Sequence, residues 1–343
     1  MPVYLDRVPS SHPLWKHAQL DIGVINNMPD GALQSTERQF LSLLDSAATG
    51  LSVRLTFYAL PDVPRSDSGR RHVSSFYKSI ENLWDRRLDG VIVTGAEPRT
   101  SNLSDEPYWT SLTRVLDWAE HNTHSAVWSC LAAHAAVLHL DRINRHRLDQ
   151  QRCGLFECCR VSDHQLMAGI ASPVVMPHSR WNEAPEKELT ECGYQVLTRS
   201  EAAGVDAFVK QRKSLFIFFQ GHPEYEANTL LVEYRRDIGR YLRRERDAYP
   251  ATPQGYFDAE TADAMAAFRE RAIRDPHQAL LADFPTVLAE RRLTNRWHPV
   301  AERLYGNWLE YLYSLKQRRF KARQTRTASA PEKEPVLSRL PAA

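Results

Sequence analysis

Apolar runs of strand length alternate with helical patterns through the first 140 residues of the chain. Each run is nearly continuous rather than alternating, which is typical of strands buried on both faces. Such strand–helix alternation predicts a parallel, doubly wound sheet, whose ligands bind at the carboxyl ends of the strands. The apolar runs cover 20–28, 51–60, 88–98 and 124–130, and helical patterns lie between them at 33–47 and 108–122.

The middle of the chain changes to short strands separated by polar turns. We expect these strands to be largely antiparallel and to extend the sheet, and we expect helices to follow them. The predicted fold class is therefore α/β: a doubly wound, mostly parallel sheet with an antiparallel extension and added C-terminal helices. The strand segments are 153–163, 172–183, 194–200, 204–211 and 214–225, and the helical ones are 227–247, 257–293 and 304–317.

Composition excludes several classes of protein. The 343 residues are 43 % hydrophobic and carry a formal net charge of +2, and no apolar run approaches the roughly 20 residues that span a bilayer. The five cysteines are too few and too irregularly spaced for a disulfide framework, and they lack paired C-x-x-C spacing for zinc. We therefore expect a cytoplasmic protein with reduced thiols, no membrane partner and no bound metal.

Charge is concentrated at the C-terminal end. Residues 316–343 hold 8 Lys or Arg against 2 Glu and are rich in Pro and Ala, which predicts a basic disordered tail. The tail has no interleaved aromatic residues, so we expect no nucleic-acid partner. We predict a single domain over 18–315, preceded by an N-terminal arm at 1–17.

Cys130 lies where a predicted strand meets a predicted helix. The segment Ala126-Val127-Trp128 is apolar, and an Ala- and Leu-rich helical pattern follows the thiol. Free cysteine is commonly a small buried core residue. At the first turn of a helix, however, unpaired N–H groups and the helix dipole favour the thiolate, so Cys130 is also a candidate nucleophile.

A second candidate group ends the apolar strand "SLFIFF". His222 and Glu224 stand two residues apart, so in an extended chain their side chains leave on the same face. A carboxylate beside an imidazole fixes its tautomer and raises its basicity. Both side chains are expected at the carboxyl edge of the sheet, where Cys130 also lies.

Together these residues predict acyl transfer through a thioester. His222 would move the proton, and Cys130 would carry the acyl group. The backbone N–H of Leu131, with one from the Gly95-Ala96 turn, could hold the developing oxyanion.

At this point the chain resembles a known family, the MetA-type homoserine O-acyltransferases, which include homoserine O-succinyltransferases. The resemblance covers about 18–250 and 296–314, and it implies the flavodoxin-like fold of class I glutamine amidotransferases. It also implies an acyl-CoA-dependent enzyme of methionine biosynthesis. The matching segments are INNMP (25–29), ERQFL (37–41), DGVIVTGAEP (89–98), SCLAAHAA (129–136), GLFE (154–157), PHSRW (177–181), GHPEYEANTL (221–230), EYRRD (233–237) and NWLEYLY (307–313).

Carried over residue by residue, the resemblance implies that Cys130 is the nucleophile, His222 the general base and Glu224 its orienting partner. Ser179 and Arg236 fall on positions that contact the amino-acid substrate. A guanidinium group can hold an α-carboxylate through two parallel hydrogen bonds. From the residues alone, Ser179 could equally cap a turn and Arg236 could be a solvated helix charge.

The chain also departs from the family pattern. A substrate-contacting Lys of the family is replaced by Gln151, and the position that sets acyl-donor choice holds Arg99. We hypothesise that the Arg99 cation pairs with the free carboxylate of a succinyl group, although an exposed loop arginine is the alternative. The segment 257–293 looks like a helical insertion that either covers the site or enlarges a subunit contact.

The sequence therefore predicts a homoserine O-succinyltransferase that uses succinyl-CoA and a cysteine thioester in a ping-pong reaction. Acetyl-CoA stays open as donor, and L-serine stays open as acceptor because one methylene gives only about 1–3 kcal/mol of discrimination. Glutamine hydrolysis uses the same side chains, but "SCLAA" lacks the glycines usual around an amidotransferase cysteine. A non-catalytic binding protein is a further alternative. We expect small-molecule partners, acyl-CoA as co-substrate, no permanent cofactor and a homodimer.

Overall fold

A computed structural model describes residues 3–6 and 18–328 of the chain, with backbone alone for 322–328. Of the predicted N-terminal arm, only residues 3–6 are therefore described, and they form an edge strand of the main sheet. Residues 329–343 of the predicted tail lie outside the described residues.

The described part of the chain forms a ten-stranded sheet whose first half is parallel. The order across the whole sheet is β1-β3-β2-β4-β5-β10-β9-β8-β6-β7. Neighbouring strands from β1 to β10 in this order are all parallel, as the apolar runs predicted. These strands are β1 (Val3–Leu5), β2 (Leu20–Ile25), β3 (Val53–Tyr58), β4 (Gly90–Val93), β5 (Ser125–Ser129) and β10 (Leu215–Phe219).

The second half of the sheet is antiparallel, which confirms the predicted extension. It begins at β10, which pairs with β5 in parallel on one side and with β9 in antiparallel on the other. β6 runs along β7 and touches β8 only at its last two residues. These strands are β6 (His146–Arg160), β7 (Val174–Glu183), β8 (Gln195–Ser200) and β9 (Gly204–Gln211).

Helices cover both faces of the sheet, so the predicted α/β fold class is confirmed. One of them, α8, begins at a side-chain cap: the Asp258 carboxylate accepts a hydrogen bond from the Thr261 N–H at 2.9 Å. No helix in the described ranges is both long and apolar enough to cross a membrane. The helices are α1 (Asp30–Ala47), α2 (Asp67–Phe76), α3 (Glu81–Trp84), α4 (Trp109–Asn122), α5 (Leu131–Asp141), α6 (Glu186–Glu191), α7 (Thr229–Leu242), α8 (Ala259–Arg274), α9 (Thr286–Arg292) and α10 (His298–Ala328).

Three apolar clusters hold these layers together. One lies between the sheet and helices α1 and α10, and a second lies on the opposite face under α4 and α5. The third joins α7 to α8 and to the segment around Trp297. α7 therefore has its own apolar support outside the two layers that sandwich the sheet.

The last helix is longer than the sequence analysis predicted. α10 runs to Ala328, so the predicted boundary at 316 between domain and disordered tail is wrong for 316–328. The first basic residue of that segment has a structural partner, because Lys316 Nζ lies 2.6 Å from the Asp89 carboxylate. An ion pair back to the sheet favours continuation of the helix beyond its apolar part.

The segment 257–293 is helical, as predicted, and packs behind α7. Phe268 on α8 and Phe284 are buried there with their rings 5.4 Å apart. Whether this segment is an insertion relative to the family stays a prediction.

Candidate active site

Two adjacent strands bring the candidate nucleophile and base together. β5 ends immediately before Cys130, and β10 ends three residues before His222. The two strand ends are tied to each other, because the Cys130 N–H donates a 2.7 Å hydrogen bond to the Phe219 carbonyl. Residues 92 positions apart in sequence therefore meet at the carboxyl edge of the sheet, where doubly wound folds bind ligands.

Cys130 occupies a sharp turn between β5 and α5. Its backbone angles are φ 49° and ψ −109°, a region that residues with a side chain rarely adopt. A strained strand-to-helix turn of this kind holds a nucleophile exposed above the sheet edge. The thiol is accordingly half-buried, and the reading of Cys130 as an ordinary core residue does not fit this backbone.

Glu224 fixes the orientation of the His222 ring. The distance from His222 Nδ1 to Glu224 Oε1 is 3.0 Å, and the Ser129 hydroxyl donates to the same oxygen at 3.1 Å. Because Nδ1 is engaged by Glu224, Nε2 is the ring nitrogen left for the Cys130 thiol, and the two side chains interact. The three predicted residues form one connected set.

The surroundings favour a charged imidazole. Burial opposes the charge, but the neighbouring Cys130 and the Glu224 carboxylate outweigh burial and raise the pKa of His222 well above its usual value. The resting site therefore favours an imidazolium beside the Cys130 sulfur.

A buried polar pair supports the backbone of His222 from behind. His178 Nε2 lies 3.3 Å from Asp206 Oδ1, and burial lowers the pKa of His178. Gly221 passes directly over this pair: a Cβ there would come within 2.4 Å of Asp206 Oδ1. The sequence analysis did not single out His178 or Asp206, since nothing local shows that β7 and β9 bring them together. His178, Asp206 and Cys158 each offer one possible metal-ligand atom, and these atoms lie within 4.8 Å of one another.

The residues of the predicted oxyanion hole, Leu131 and Gly95, lie close to each other. Leu131 is the first residue of α5, so its N–H has no acceptor within the helix. Gly95 lies against it, since a Cβ on Gly95 would be 3.1 Å from Leu131 N and 2.5 Å from Leu131 Cβ. Only glycine allows this separation, and Ala96 follows on the cavity wall.

Cys130, His222 and Glu224 line a cavity of about 600 Å³. Ser179 enters from β7, Gln151 from an irregular stretch of β6, and Arg236 from α7. Arg236 Nε donates to Asp237 Oδ1 at 3.0 Å, so it is not a solitary solvated charge. The structure thus brings the predicted substrate-contacting side chains to the same cavity as Cys130.

Arg99 is the exception among the predicted site residues. It is exposed and does not line the cavity. The Glu106 carboxylate accepts hydrogen bonds from the Arg99 and Thr100 N–H groups at 2.6 and 2.7 Å, which holds the backbone of this loop in place. The structure does not support the hypothesis that Arg99 contacts the acyl group and favours the alternative of an exposed loop arginine.

Two further residues beside the site were not singled out by the sequence analysis. The Tyr225 ring stacks on His222 with centroids 4.1 Å apart, and its hydroxyl donates to Glu233 Oε1 at 2.7 Å. Its place next to Glu224 in the sequence was the only available signal. His134 is a packed residue: it is buried, its Nε2 lies 2.8 Å from Gln220 Oε1, and burial lowers its pKa to about 4.

Comparison with known proteins identifies a family for this chain. A family model described as homoserine O-succinyltransferase matches residues 15–318. A homoserine O-succinyltransferase of Rhodopseudomonas palustris is 48 % identical over 297 residues, which is 86 % of this chain and 89 % of that protein. The proteins of that name from Bradyrhizobium japonicum and Thiothrix nivea are 46 % and 37 % identical, and cover 86 % and 87 % of this chain and 90 % and 83 % of their own.

Solved structures are more distantly similar. A glutamine amidotransferase from Methylobacillus flagellatus has a TM-score of 0.47 and 17 % identity over 85 % of this chain and 94 % of that one. A glutamine amidotransferase from Thermotoga maritima has a TM-score of 0.42 and 13 % identity over 87 % and 99 %.

The fold and site define an α/β protein with a thiol, an imidazole and a carboxylate joined at the carboxyl edge of its sheet. The extent of the family match and the identity to the relatives settle the family. The chain belongs to the homoserine O-succinyltransferase family of enzymes, and the predicted resemblance is confirmed.

Proposed function

We propose that this protein transfers a succinyl group from succinyl-CoA to the hydroxyl of L-homoserine through a thioester on Cys130. The observation that carries the proposal is the strained Cys130 turn in contact with a His222 ring that Glu224 orients. The name of the family, homoserine O-succinyltransferase, indicates succinyl as the acyl group and homoserine as the acceptor. The reaction is then a step of methionine biosynthesis. The cytoplasmic location and the homodimer remain predictions.

In the first half-reaction, the Cys130 thiolate attacks the carbonyl carbon of the succinyl thioester. The oxyanion that forms accepts hydrogen bonds from the Leu131 N–H and from the Gly95-Ala96 turn. When this intermediate collapses, the bond to the CoA sulfur breaks. The departing thiolate takes the proton from the His222 imidazolium, leaving a succinyl thioester on Cys130 and a neutral ring.

In the second half-reaction, the neutral His222 accepts the proton of the homoserine hydroxyl. The oxygen attacks the thioester carbonyl, and the Cys130–carbonyl bond breaks to release O-succinylhomoserine. The thiolate and imidazolium are restored together. One thioester is exchanged for another in the first step, so the intermediate is not a deep energy well and can be passed on.

Substrate orientation follows from the cavity wall. We assign the homoserine α-carboxylate to Arg236, with Ser179 and Gln151 as neutral hydrogen-bonding partners. Gln151 replaces a lysine contact of the family pattern, so it offers the substrate a weaker and uncharged interaction. Glu233 and Asp237 lie on the same helix and line the same cavity, where they are placed to face the substrate ammonium group.

Intact-protein mass spectrometry tests the proposal. Mixing the protein with succinyl-CoA alone is expected to add one succinyl group to Cys130, and adding L-homoserine is expected to remove it. Cys130→Ser should abolish turnover, whereas Cys159→Ser, at an exposed cysteine outside the cavity, should leave both steps intact.

The same assay separates the alternatives. Faster discharge by L-serine, or faster loading from acetyl-CoA, would correct the substrates while keeping the mechanism. Hydrolysis of L-glutamine without loading by either acyl-CoA, or full turnover by Cys130→Ser, would overturn the proposal.

A further inference from the structure

The cavity wall carries more positive charge than the mechanism uses. Three arginines on or near α7 already face acids: Arg236 and Arg246 contact Asp237 at 3.0 and 3.5 Å, and Arg240 contacts Glu97 at 3.1 Å. Arg180 is 3.7 Å from Glu183. These cations are partly neutralised before any substrate binds.

Arg145 and Arg147 differ from these. Within the described part of the chain, neither forms an ion pair with a carboxylate, and both line the cavity. Arg145 Nη2 donates to the Ser101 carbonyl at 3.0 Å, whereas its buried Nη1 has no hydrogen-bond partner among the described residues. A buried guanidinium N–H without an acceptor is costly unless a ligand supplies one.

The two arginines are held in place by different means. Arg145 is anchored to the loop that follows the Gly95-Ala96 turn. The Arg147 guanidinium lies over the Trp181 ring, 4.4 Å from its centroid, on the strand that also carries Ser179. Both side chains line the cavity that Cys130 also lines.

Their charges also act on each other and on the helix that Cys130 begins. Burial lowers the pKa of Arg145 and Arg147 adds to that effect, against Tyr108 and the Glu106 carboxylate, which raise it. Arg145 also contributes to the lowered pKa of His134, for which burial is the larger cause. Two cations that line one cavity favour an anion as their common partner.

We propose that Arg145 and Arg147 form the binding site for the free carboxylate of the acyl group. The inference rests on the proposed function, because it assigns the distal anion of a succinyl donor. A guanidinium pair recognises a carboxylate through charge-assisted hydrogen bonds, which an acetyl group cannot accept at that position. The pair takes over the role that the sequence analysis gave to Arg99.

The test is the ratio of kcat/KM for succinyl-CoA to kcat/KM for acetyl-CoA. Arg147→Gln removes the charge from a side chain that holds no backbone group in place. We expect it to lower the ratio by about 10- to 100-fold, the size of a lost hydrogen bond between charged groups. Arg147→Lys keeps the charge and should lose less. Arg291→Gln, at an exposed position on α9 outside the cavity, is the matched control and should leave the ratio unchanged.

Each other result has a distinct meaning. An equal loss with both donors would show that the pair binds CoA phosphates, and it would overturn the inference. An unchanged ratio in folded Arg147→Gln and Arg147→Lys would overturn it too, while the proposed function stands. If the wild type does not turn over either donor, the proposed function itself fails.

Discussion

At the scale of single residues, the chemistry depends on what each side chain is prevented from doing. Cys130 has a positive φ, and its N–H is tied to the Phe219 carbonyl at the end of the neighbouring strand. His222 cannot rotate because Glu224 and the Tyr225 ring hold it on two sides. Glu224 is itself engaged by Ser129. Such restraint positions the reacting groups before substrate arrives.

The charge state of His222 gives a prediction at this scale. Cys130 and Glu224 each raise its pKa, so removing either partner lowers that pKa while burial continues to oppose the charge. In Glu224→Gln and in Cys130→Ala, the ring is therefore expected to lose its proton at lower pH than in the wild type. NMR titration of labelled histidine measures the midpoint directly.

His134 serves as the internal reference for this titration. Burial lowers its pKa to about 4, so it should stay neutral above about pH 5 in all three proteins. A His222 midpoint that is the same in the wild type and both variants would contradict the charge coupling.

The sequence predicted the reacting residues better than their surroundings. Cys130, His222 and Glu224 follow apolar strands, and parallel strands end at one edge, so local pattern and general topology were sufficient. The loop backbone at Arg99 is held by the Glu106 carboxylate, and the Arg147 contact depends on Trp181 from another strand. Neither long-range contact leaves a local pattern.

At the scale of elements, a loop approaches a helix end at the proposed oxyanion site. The turn after β4 comes against the first residue of α5 at Gly95. The strand core of β4 and β5 was predicted from apolar runs, but β6 was not predicted at full length. β6 begins at His146, whereas the sequence predicted a start near 153. Its first half was missed because it is exposed and polar, and it pairs only with β7.

Gly95→Ala tests this contact. The added methyl would come within 2.5 Å of Leu131 Cβ, so the turn and the helix end must separate. A displacement of this kind is expected to lower kcat by about 10²-fold, because the N–H groups would no longer converge on one oxygen. Steady-state kinetics and the rate of Cys130 succinylation report the change.

Gly31→Ala is the matched control, since a Cβ there meets no atom within 4 Å on the first turn of α1. It should leave kcat unaltered and stability equal or slightly higher. Wild-type kcat in Gly95→Ala would remove Gly95 from the oxyanion site.

At the scale of the whole molecule, the cavity lies between two differently supported parts. The sheet edge with Cys130 and His222 is held by the apolar clusters on the two faces of the sheet. α7, which carries Arg236, is held by the third cluster with α8. The residues of 257–293, all of them described, do not line the cavity. These residues therefore support α7. They do not cover the cavity mouth, which was one of the two roles that the sequence left open.

This division predicts different outcomes for two phenylalanine truncations of similar cost. Phe268→Ala opens a void in the cluster that supports α7, and Phe208→Ala opens one under the sheet, where its ring stacks on Phe218 at 4.8 Å. Both side chains are buried, so each change should lower the free energy of unfolding by about 3–5 kcal/mol. Only Phe268→Ala should raise the KM for homoserine, because only that void lies behind the helix that carries Arg236. Denaturant unfolding and steady-state kinetics on the two variants decide the matter: an equal rise in KM, or none in either, would show that α7 is not supported independently of the sheet.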